Sequence, residues 1–164
     1  MSLEQEVGKL LREKGLTLGV VESATGGFIS HLLTNVPGSS LYYKGSITSY
    51  SNEIKVNMVG VKAETIDRYG AVSLQTAREM AKGGRKLLGV DICVADTGIA
   101  GPDGATPGKP VGLFYVGLSA AKGTYSRKRI FSGNRELNKR LAARAALSAL
   151  KTYLSALKDD PQFR

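Results

Sequence analysis

The chain has very few of the residues on which disulfide frameworks and histidine-based catalysis depend. Its 164 residues include only one cysteine, Cys93, and one histidine, His31. A single cysteine can form neither an internal disulfide nor, by itself, a zinc site. His31 falls inside a helical pattern, where a packed or surface histidine is the commoner case, so we do not expect a Ser-His-Asp triad. These scarcities are typical of a cytoplasmic protein.

Long apolar runs and metal-ligand spacings are also missing from the sequence. No stretch approaches the roughly 18 apolar residues that a membrane span requires. Residues 1–14 are polar and helix-patterned, unlike a signal peptide. The Asp, Glu, His and Cys residues nowhere have the spacing of a metal site. We therefore expect neither a membrane partner nor a bound metal.

Acidic residues are in the minority. The chain has 23 Lys and Arg against 14 Asp and Glu, a formal net charge of +9. Such a balance attracts nucleic acid, membrane surfaces and phosphorylated small molecules alike. However, the basic residues are scattered without a run of five, and no RNA-binding aromatic signature accompanies the densest patch at 127–129. The charge fits a solvated surface or a small anionic ligand, and we do not expect nucleic acid as a partner.

The sequence does contain a regular alternation of helical and strand patterns. The predicted helices cover residues 3–14, 26–34, 51–58, 64–69, 74–88 and 136–157, and the predicted strands cover residues 16–21, 42–50, 91–97, 111–120 and 124–131. This order predicts a three-layer α/β/α sandwich with a mixed, mostly parallel sheet and a late antiparallel hairpin. We expect one domain over residues 1–164, of which about 159–164 form a frayed tail.

One serine stands between an apolar run and a pair of glycines. The run at 16–21 is typical of a buried strand, and Gly26 and Gly27 stand at the expected mouth of the next helix. Ser23 would then lie at the carboxyl end of a strand, beside free amides and the positive end of a helix dipole. Such a hydroxyl can attack a substrate or bind an anion. The alternative is that Ser23 and Thr25 only cap the helix.

A lysine that could activate this serine follows the second predicted strand. If Ser51 caps the next helix, Lys55 lies on the first turn and Tyr50 stands beside it at the strand end. Lys55 can act as a base only when it is neutral, so its pKa must fall by about three units from about 10.4. Tyr50 could relay the proton or hold the lysine in place. The alternative is an ordinary surface lysine on an exposed helix.

The third candidate segment is a loop rich in glycine and proline. Residues 97–112 contain five glycines and three prolines, among them Gly98 and Gly101, after a predicted strand. The segment lacks both the Walker and the dinucleotide-binding spacings. Its amides and Lys109 could bind a phosphate or a ring, or the segment could simply be a long connection. Arg135, before the last helix, could likewise reach a ligand phosphate or lie exposed at the helix start.

Taken together, these segments resemble the CinA carboxy-terminal domain family. The similarity spans nearly the whole chain in order, and it rests on residues 22–27, 36–40, 50–55, 70–73, 97–102 and 109–112. The resemblance implies a stand-alone form, without the separate amino-terminal molybdopterin-binding-like domain of the family. It also implies a homo-oligomer, with a dimer favoured.

The resemblance further implies an amidohydrolase that converts nicotinamide mononucleotide into nicotinic acid mononucleotide and ammonia without a cofactor. In that hypothesis Ser23 attacks the carboxamide carbon, Lys55 assisted by Tyr50 handles the protons, and amides near Gly26 hold the oxyanion. The expected substrate-binding residues are Thr25, Gly26, Gly27, Ser40, Gly98, Gly101, Lys109 and Arg135. The substrate phosphate would also account for the basic charge.

One position departs from the family pattern, and two other functions stay open. Ala24 stands where many relatives have cysteine, from which we infer that the thiol is dispensable. Thr25 lies close enough to Ser23 in sequence to be the nucleophile instead. The same loops could bind a phosphorylated ligand without turnover, or the protein could be associated with DNA in competence or damage responses.

Overall fold

Helices and strands alternate along residues 1–157, which are the residues that this computed structural model describes. The helices are α1 (Leu3–Lys14), α2 (Phe28–Thr34), α3 (Asn52–Ile54), α4 (Ala63–Tyr69), α5 (Leu74–Leu88) and α6 (Arg135–Ala156). The strands are β1 (Leu18–Glu22), β2 (Tyr43–Thr48), β3 (Ile92–Gly98), β4 (Leu113–Ala120) and β5 (Gly123–Ile130). The tail predicted at 159–164 lies outside the described residues.

Most helix ends lie where the sequence predicts them, because side-chain caps and glycines mark them locally. Ser2 and Gln5 form both hydrogen bonds of the capping box at the start of α1. Ser73 caps α5, and Gly89 ends it in the left-handed conformation. α2 is shorter than predicted and begins at Phe28 instead of Gly26. The two preceding glycines have φ values of 61° and 103°, which a helix cannot contain.

The predicted helix at 51–58 is the other local difference. The chain forms only one α-helical turn, α3, and then a π-helical turn over Lys55–Val59. Single π turns are rare and often occur at functional sites. Ser51 still acts as the predicted cap, since its Oγ accepts a hydrogen bond from the N–H of Ile54.

The five strands form one sheet in the order β2-β1-β3-β4-β5. β1 pairs in parallel with both β2 and β3, whereas β4 runs antiparallel to β3 and to β5. Every strand except β4 therefore runs in the same direction. The predicted mixed sheet, mostly parallel with a late antiparallel hairpin, is confirmed.

Helices cover the sheet on both sides, which confirms the three layers. Side chains of β1 and β3 alternate between the two faces, as the period of a strand requires. Val20 and Val94 pack in one cluster with side chains of α1, α2 and α6. Val21 and Cys93 pack in the other with side chains of α4 and α5. In the described part of the chain, no helix is both long and apolar enough to cross a membrane.

Two glycines allow α5 to pack unusually close to the elements behind the catalytic candidates. A Cβ on Gly84 would lie 2.2 Å from Cγ2 of Val21, and one on Gly83 would lie 1.8 Å from the carbonyl oxygen of Val59. Neither gap admits a methyl group. α5 therefore packs directly against β1 and against the end of the π turn, the two elements that position Ser23 and Lys55.

The chain connections put a crevice at the carboxyl end of β1. From β1 the chain crosses one face through α2 to reach β2, and from β2 it crosses the other face through α5 to reach β3. β1 is therefore the strand at which the order reverses. Ligands of open α/β sheets bind in the crevice outside the strand ends at such a point.

Candidate active site

Ser23 lies in the turn that leaves β1, at the edge of this crevice. Its side chain is almost buried, and its backbone N–H donates a 3.0 Å hydrogen bond to Oδ1 of Asp96 on the adjacent strand β3. The hydroxyl is therefore anchored from behind by the main chain. Its Oγ remains available to side chains from the segment that follows β2, including the π turn.

Lys55 is the group that contacts it. Its side chain is only 1% exposed, and its Nζ lies 2.9 Å from Oγ of Ser23. The Nζ also donates to the carbonyl oxygens of Ser49 (2.7 Å) and Tyr50 (3.0 Å). Burial lowers the pKa of Lys55, and the carboxyl of Asp96 opposes this effect. Burial thus shifts Lys55 toward the neutral amine, the form that can accept a proton.

The buried Lys55 is the first residue of the π turn. Lys55 starts this turn, and its carbonyl oxygen accepts hydrogen bonds from the N–H groups of Gly60 and Val61. The wider turn ends against α5, where Gly83 contacts Val59. A lysine three residues after the first residue of a helix would usually lie at the surface. Here it lies in the interior, with its amine held by three oxygens.

Tyr50 contacts the lysine through its backbone and not through its phenol. Its carbonyl accepts from Nζ of Lys55, whereas its side chain is 63% exposed. The hydroxyl lies 3.3 Å from Nη2 of Arg135, across the crevice. The structure therefore does not place this hydroxyl on a proton path between Ser23 and Lys55.

Thr25 points away from the crevice and into the protein. It is 1% exposed, and its Oγ1 contacts Oε2 of Glu22 at 2.6 Å and Oδ1 of Asp96 at 2.5 Å. A hydroxyl held between two buried carboxyls cannot approach a substrate. Of the two candidate nucleophiles, the structure gives access to Ser23 alone.

The amides of the glycine pair, two of the expected oxyanion donors, are already hydrogen-bonded within the protein. Gly26 donates its N–H to the carbonyl of Ser23 at 3.1 Å, and Gly27 donates to Oε2 of Glu22 at 2.9 Å. The N–H of Thr25 donates to Oδ2 of Asp96. Among the described residues no partner bonds the N–H of Ala24, which lines the cavity. That amide is the donor left for a developing negative charge.

The glycine-rich loop forms the opposite wall. Gly98 ends β3 and packs on the ring of Phe114, where a Cβ would lie 2.3 Å from the ring. The carbonyl of Gly101 accepts from Nη1 of Arg135 at 2.7 Å. Buried Asn138 donates to the carbonyl of Ala100 at 3.1 Å. α6 thus fixes this loop from its first turn.

Two of the sequence-predicted binding residues do not line this crevice. Ser40 lies in the turn before β2, at the amino ends of the parallel strands, whereas the crevice lies at their carboxyl ends. Lys109 donates its Nζ to the carbonyl of Tyr69 at 2.6 Å, which ties the loop to the end of α4. Neither residue lines the crevice.

The crevice itself is a solvent-open cavity of about 240 Å³. It is lined by Ser23, Ala24, Tyr50, Asn52, Lys55, Ala71, Val72, Thr97, Gly98, Ile99, Ala100, Asp103, Gly104 and Arg135. Lys55 lies at its inner end, and the exposed Arg135 lies at its mouth. No group of His, Cys, Asp and Glu among residues 1–157 is arranged to hold a metal ion.

Comparison with known proteins agrees with this architecture. The family model of the CinA C-terminal domain matches residues 1–154. The chain belongs to this family. It is 46% identical over 154 residues to a CinA-like protein of a Sulfurihydrogenibium species, covering 94% of this chain and 38% of that protein. It is 44% identical over 160 residues to a CinA-like protein of Chloroherpeton thalassium, covering 95% and 38%. The chain thus spans little more than a third of the length of these curated relatives.

Solved CinA-family structures share the fold over almost the whole chain. The competence damage-inducible protein A of Klebsiella pneumoniae superposes with a TM-score of 0.92 at 33% identity, covering 95% of this chain and 97% of that one. The competence/damage inducible protein CihA of Agrobacterium tumefaciens gives 0.86 at 34% identity, covering 94% and 99%. The chain therefore has the fold of these CinA-family structures.

The sequence patterns missed three buried polar residues around the site. Glu22 and Asp96 stand at the ends of apolar strands, and Asn138 stands inside the last helix; all three are 0% exposed. The available signal was a charged residue at the end of an otherwise continuous apolar run. Buried carboxyls need partners, and these were not identifiable before the strands were aligned.

Proposed function

We propose that the chain is an amidohydrolase that converts nicotinamide mononucleotide to nicotinic acid mononucleotide and ammonia. The observation that carries the proposal is the 2.9 Å contact between Oγ of Ser23 and Nζ of the buried Lys55. A serine becomes a nucleophile when an adjacent base takes its proton. Burial lowers the pKa of Lys55 and so favours the neutral amine that this step needs.

The reaction would proceed through an acyl-enzyme. Neutral Lys55 takes the proton of Ser23 as Oγ bonds to the carboxamide carbon, and the oxyanion accepts the free N–H of Ala24. The protonated Lys55 then gives its proton to the departing nitrogen, so that the C–N bond breaks and ammonia leaves. A water molecule next loses a proton to Lys55 and attacks the ester. The acid is released, and the proton returns to Ser23.

The charges around the cavity suit a phosphorylated substrate. Arg135 lies at the mouth with a planar guanidinium, which binds phosphate oxygens through paired hydrogen bonds. The net charge of +9 favours the approach of an anion in general. The proposed chemistry needs only the serine, the lysine and an amide donor.

Ammonia release from a small panel of amides tests the proposal directly. We expect nicotinamide mononucleotide to be turned over faster than its riboside, free nicotinamide or glutamine, because only the first carries the phosphate. Binding of nicotinamide mononucleotide without any ammonia would favour a binding module instead. Retention on DNA that weakens steeply with salt, without turnover, would favour the DNA-associated alternative.

Replacing Arg135 by alanine should weaken substrate binding more than catalysis. A lost charge-assisted hydrogen bond costs about 1.5–3 kcal/mol, so KM for nicotinamide mononucleotide should rise roughly 10- to 100-fold with little change in kcat. Steady-state kinetics measure both constants. Arg144→Ala, on an exposed position of the same helix, is the matched control.

The substrate phosphate provides a second control for Arg135. The riboside lacks this group, so its KM should be nearly the same for the wild type and for Arg135→Ala. Equal rises in KM for the nucleotide and the riboside would contradict a phosphate contact. They would instead indicate that the substitution disturbs the loop at Gly101.

A further inference from the structure

Behind Ser23, one threonine hydroxyl bridges two buried carboxyls. Oγ1 of Thr25 lies 2.6 Å from Oε2 of Glu22 and 2.5 Å from Oδ1 of Asp96. Glu22 and Asp96 are both fully buried. Neither carboxyl contacts substrate in the proposed reaction, so the arrangement requires another explanation.

Counting protons shows that the two carboxyls cannot both be ionised. Each of the two oxygen–oxygen distances is short enough to require a proton of its own, since O–H···O⁻ bonds are typically about 2.5–2.7 Å long. Thr25 supplies one proton from its hydroxyl. The second contact therefore needs a proton from one of the carboxyls.

The positions of the surrounding donors indicate which carboxyl holds it. Oε2 of Glu22 also accepts the N–H groups of Gly27 and Ile29, and its Oε1 accepts the N–H and the hydroxyl of Ser30. That carboxylate has no room for a proton of its own. Oδ1 of Asp96 accepts only the N–H of Ser23 besides the threonine contact. The proton lies between Asp96 and Thr25, and the threonine hydroxyl donates to Glu22.

We propose that Glu22, Thr25 and Asp96 share one buried proton and form a positioning unit that holds Ser23 for attack on the substrate. The catalytic part of this inference rests on the proposed amidohydrolase function; the shared proton does not. Asp96 fixes the turn by accepting the N–H of Ser23 and, through Oδ2, the N–H of Thr25. Glu22 fixes the following turn by accepting the amides at the start of α2.

The electrostatics of the site agree with this arrangement. Burial, reinforced by the nearby charge of Glu22, raises the pKa of Asp96 to about 6, although three hydrogen bonds oppose the shift. The charged groups that act on Asp96 from the packed elements are Glu22 and Lys55, and its ladder partner on β4 is the apolar Val116. An ionised Asp96 would favour the ammonium form of Lys55. Below about pH 6 the shared proton removes that negative charge from beside the base.

Carbon-13 NMR of side-chain carboxyls tests the shared proton without any reference to activity. At about pH 5 exposed carboxyls are largely ionised, since their ordinary pKa values are about 3.9–4.3. We expect one carboxyl resonance of the wild type to remain at a protonated position at that pH. It should vanish in Asp96→Asn and persist in Ser30→Ala, which removes another hydroxyl from the same glutamate without touching the bridge.

Kinetics of three variants test the positioning role. Thr25→Val removes the bridging hydroxyl at nearly constant shape, and we expect kcat to fall roughly 10- to 100-fold with little change in KM, because a small displacement of the nucleophile is enough for such a loss. Thr25→Ser keeps the hydroxyl and should restore kcat to within about threefold. Ser30→Ala should stay near the wild-type value. Circular dichroism confirms that each variant is folded.

The NMR experiment and the variant kinetics together show which part of the inference is wrong if one of them gives an unexpected result. If no wild-type carboxyl holds a proton at about pH 5, the shared proton is wrong whatever the activity. If the proton is present but Thr25→Val keeps the wild-type kcat, or Thr25→Ser fails to restore it, the positioning role is wrong. If the protein shows the proton but releases no ammonia from any amide, the proposed function fails and the proton-sharing unit stands.

Discussion

Ser23→Ala will release no measurable ammonia from nicotinamide mononucleotide while it still folds and binds the substrate. The variant loses the hydroxyl that contacts Lys55 in the cavity, and loss of a catalytic serine costs on the order of 10⁴- to 10⁶-fold in kcat. The N–H that bonds to Asp96 belongs to the backbone and is kept. Single-turnover ammonia release and calorimetric substrate binding measure the two properties separately.

Ser40→Ala is the matched control for this experiment. Ser40 carries the same hydroxyl but lies in the turn before β2, at the amino ends of the parallel strands, and it does not line the crevice. We expect its turnover to equal that of the wild type. Wild-type turnover by Ser23→Ala would overturn the whole site, whereas a loss in Ser40→Ala would indicate a role that a single chain does not show.

Lys55→Met should lower kcat by about 10³-fold or more at neutral pH. Methionine has a similar unbranched shape and suits a buried position, but it cannot take the proton of Ser23. Lys55→Arg should be equally inactive, because an arginine stays protonated and cannot act as a base. Lys82→Met, at an exposed position of α5, should leave ammonia release unchanged. Normal ammonia release by Lys55→Met would refute the Ser-Lys mechanism.

The pH dependence of kcat in the wild type also tests whether Lys55 acts as the base. Only unprotonated Lys55 can accept the proton, so kcat should rise with pH up to the lowered pKa of this lysine and then level off. The folded state also binds this proton less tightly than the unfolded chain does. The contribution of Lys55 to stability should therefore increase as the pH rises from its folded pKa toward about 10.4. Lys55→Met should remove this part of the pH dependence of stability.

Much of the fold could be predicted because its signals are local. Ser2, Ser73 and Gly89 act through hydrogen bonds and backbone angles within a few residues of themselves. The continuous apolar runs of β1 and β3 indicate strands that are covered on both sides, as they are. Local signals failed most clearly where the chain departs from regular helical geometry, at Gly26 and at the π turn.

The site was predictable in part. Ser23 and Lys55 were assigned from their places after β1 and β2, and adjacent parallel strands bring such places to the same edge of a sheet. Resemblance and composition point to Ser40 and Lys109, but neither signal shows which end of the sheet these residues reach. In the sequence, Glu22 and Asp96 each look like an isolated charge, because only the pairing of β1 with β3 brings them together.

The sequence by itself determined the order of the elements and the family of the fold, since caps, periodicity and motif order are properties of the chain. It also predicted Ser23 and Lys55 as the two groups at the centre of the site. Only the tertiary structure decided which hydroxyl faces the cavity and which amide is free. It also decided that Tyr50 contacts the lysine through its carbonyl and not through its phenol. Residues 23 and 25 differ by two positions in the chain and by the direction in which one turn points them. The burial of Lys55 and the contact of Thr25 with two carboxyls both depend on distances between strands and helices, which no local pattern encodes.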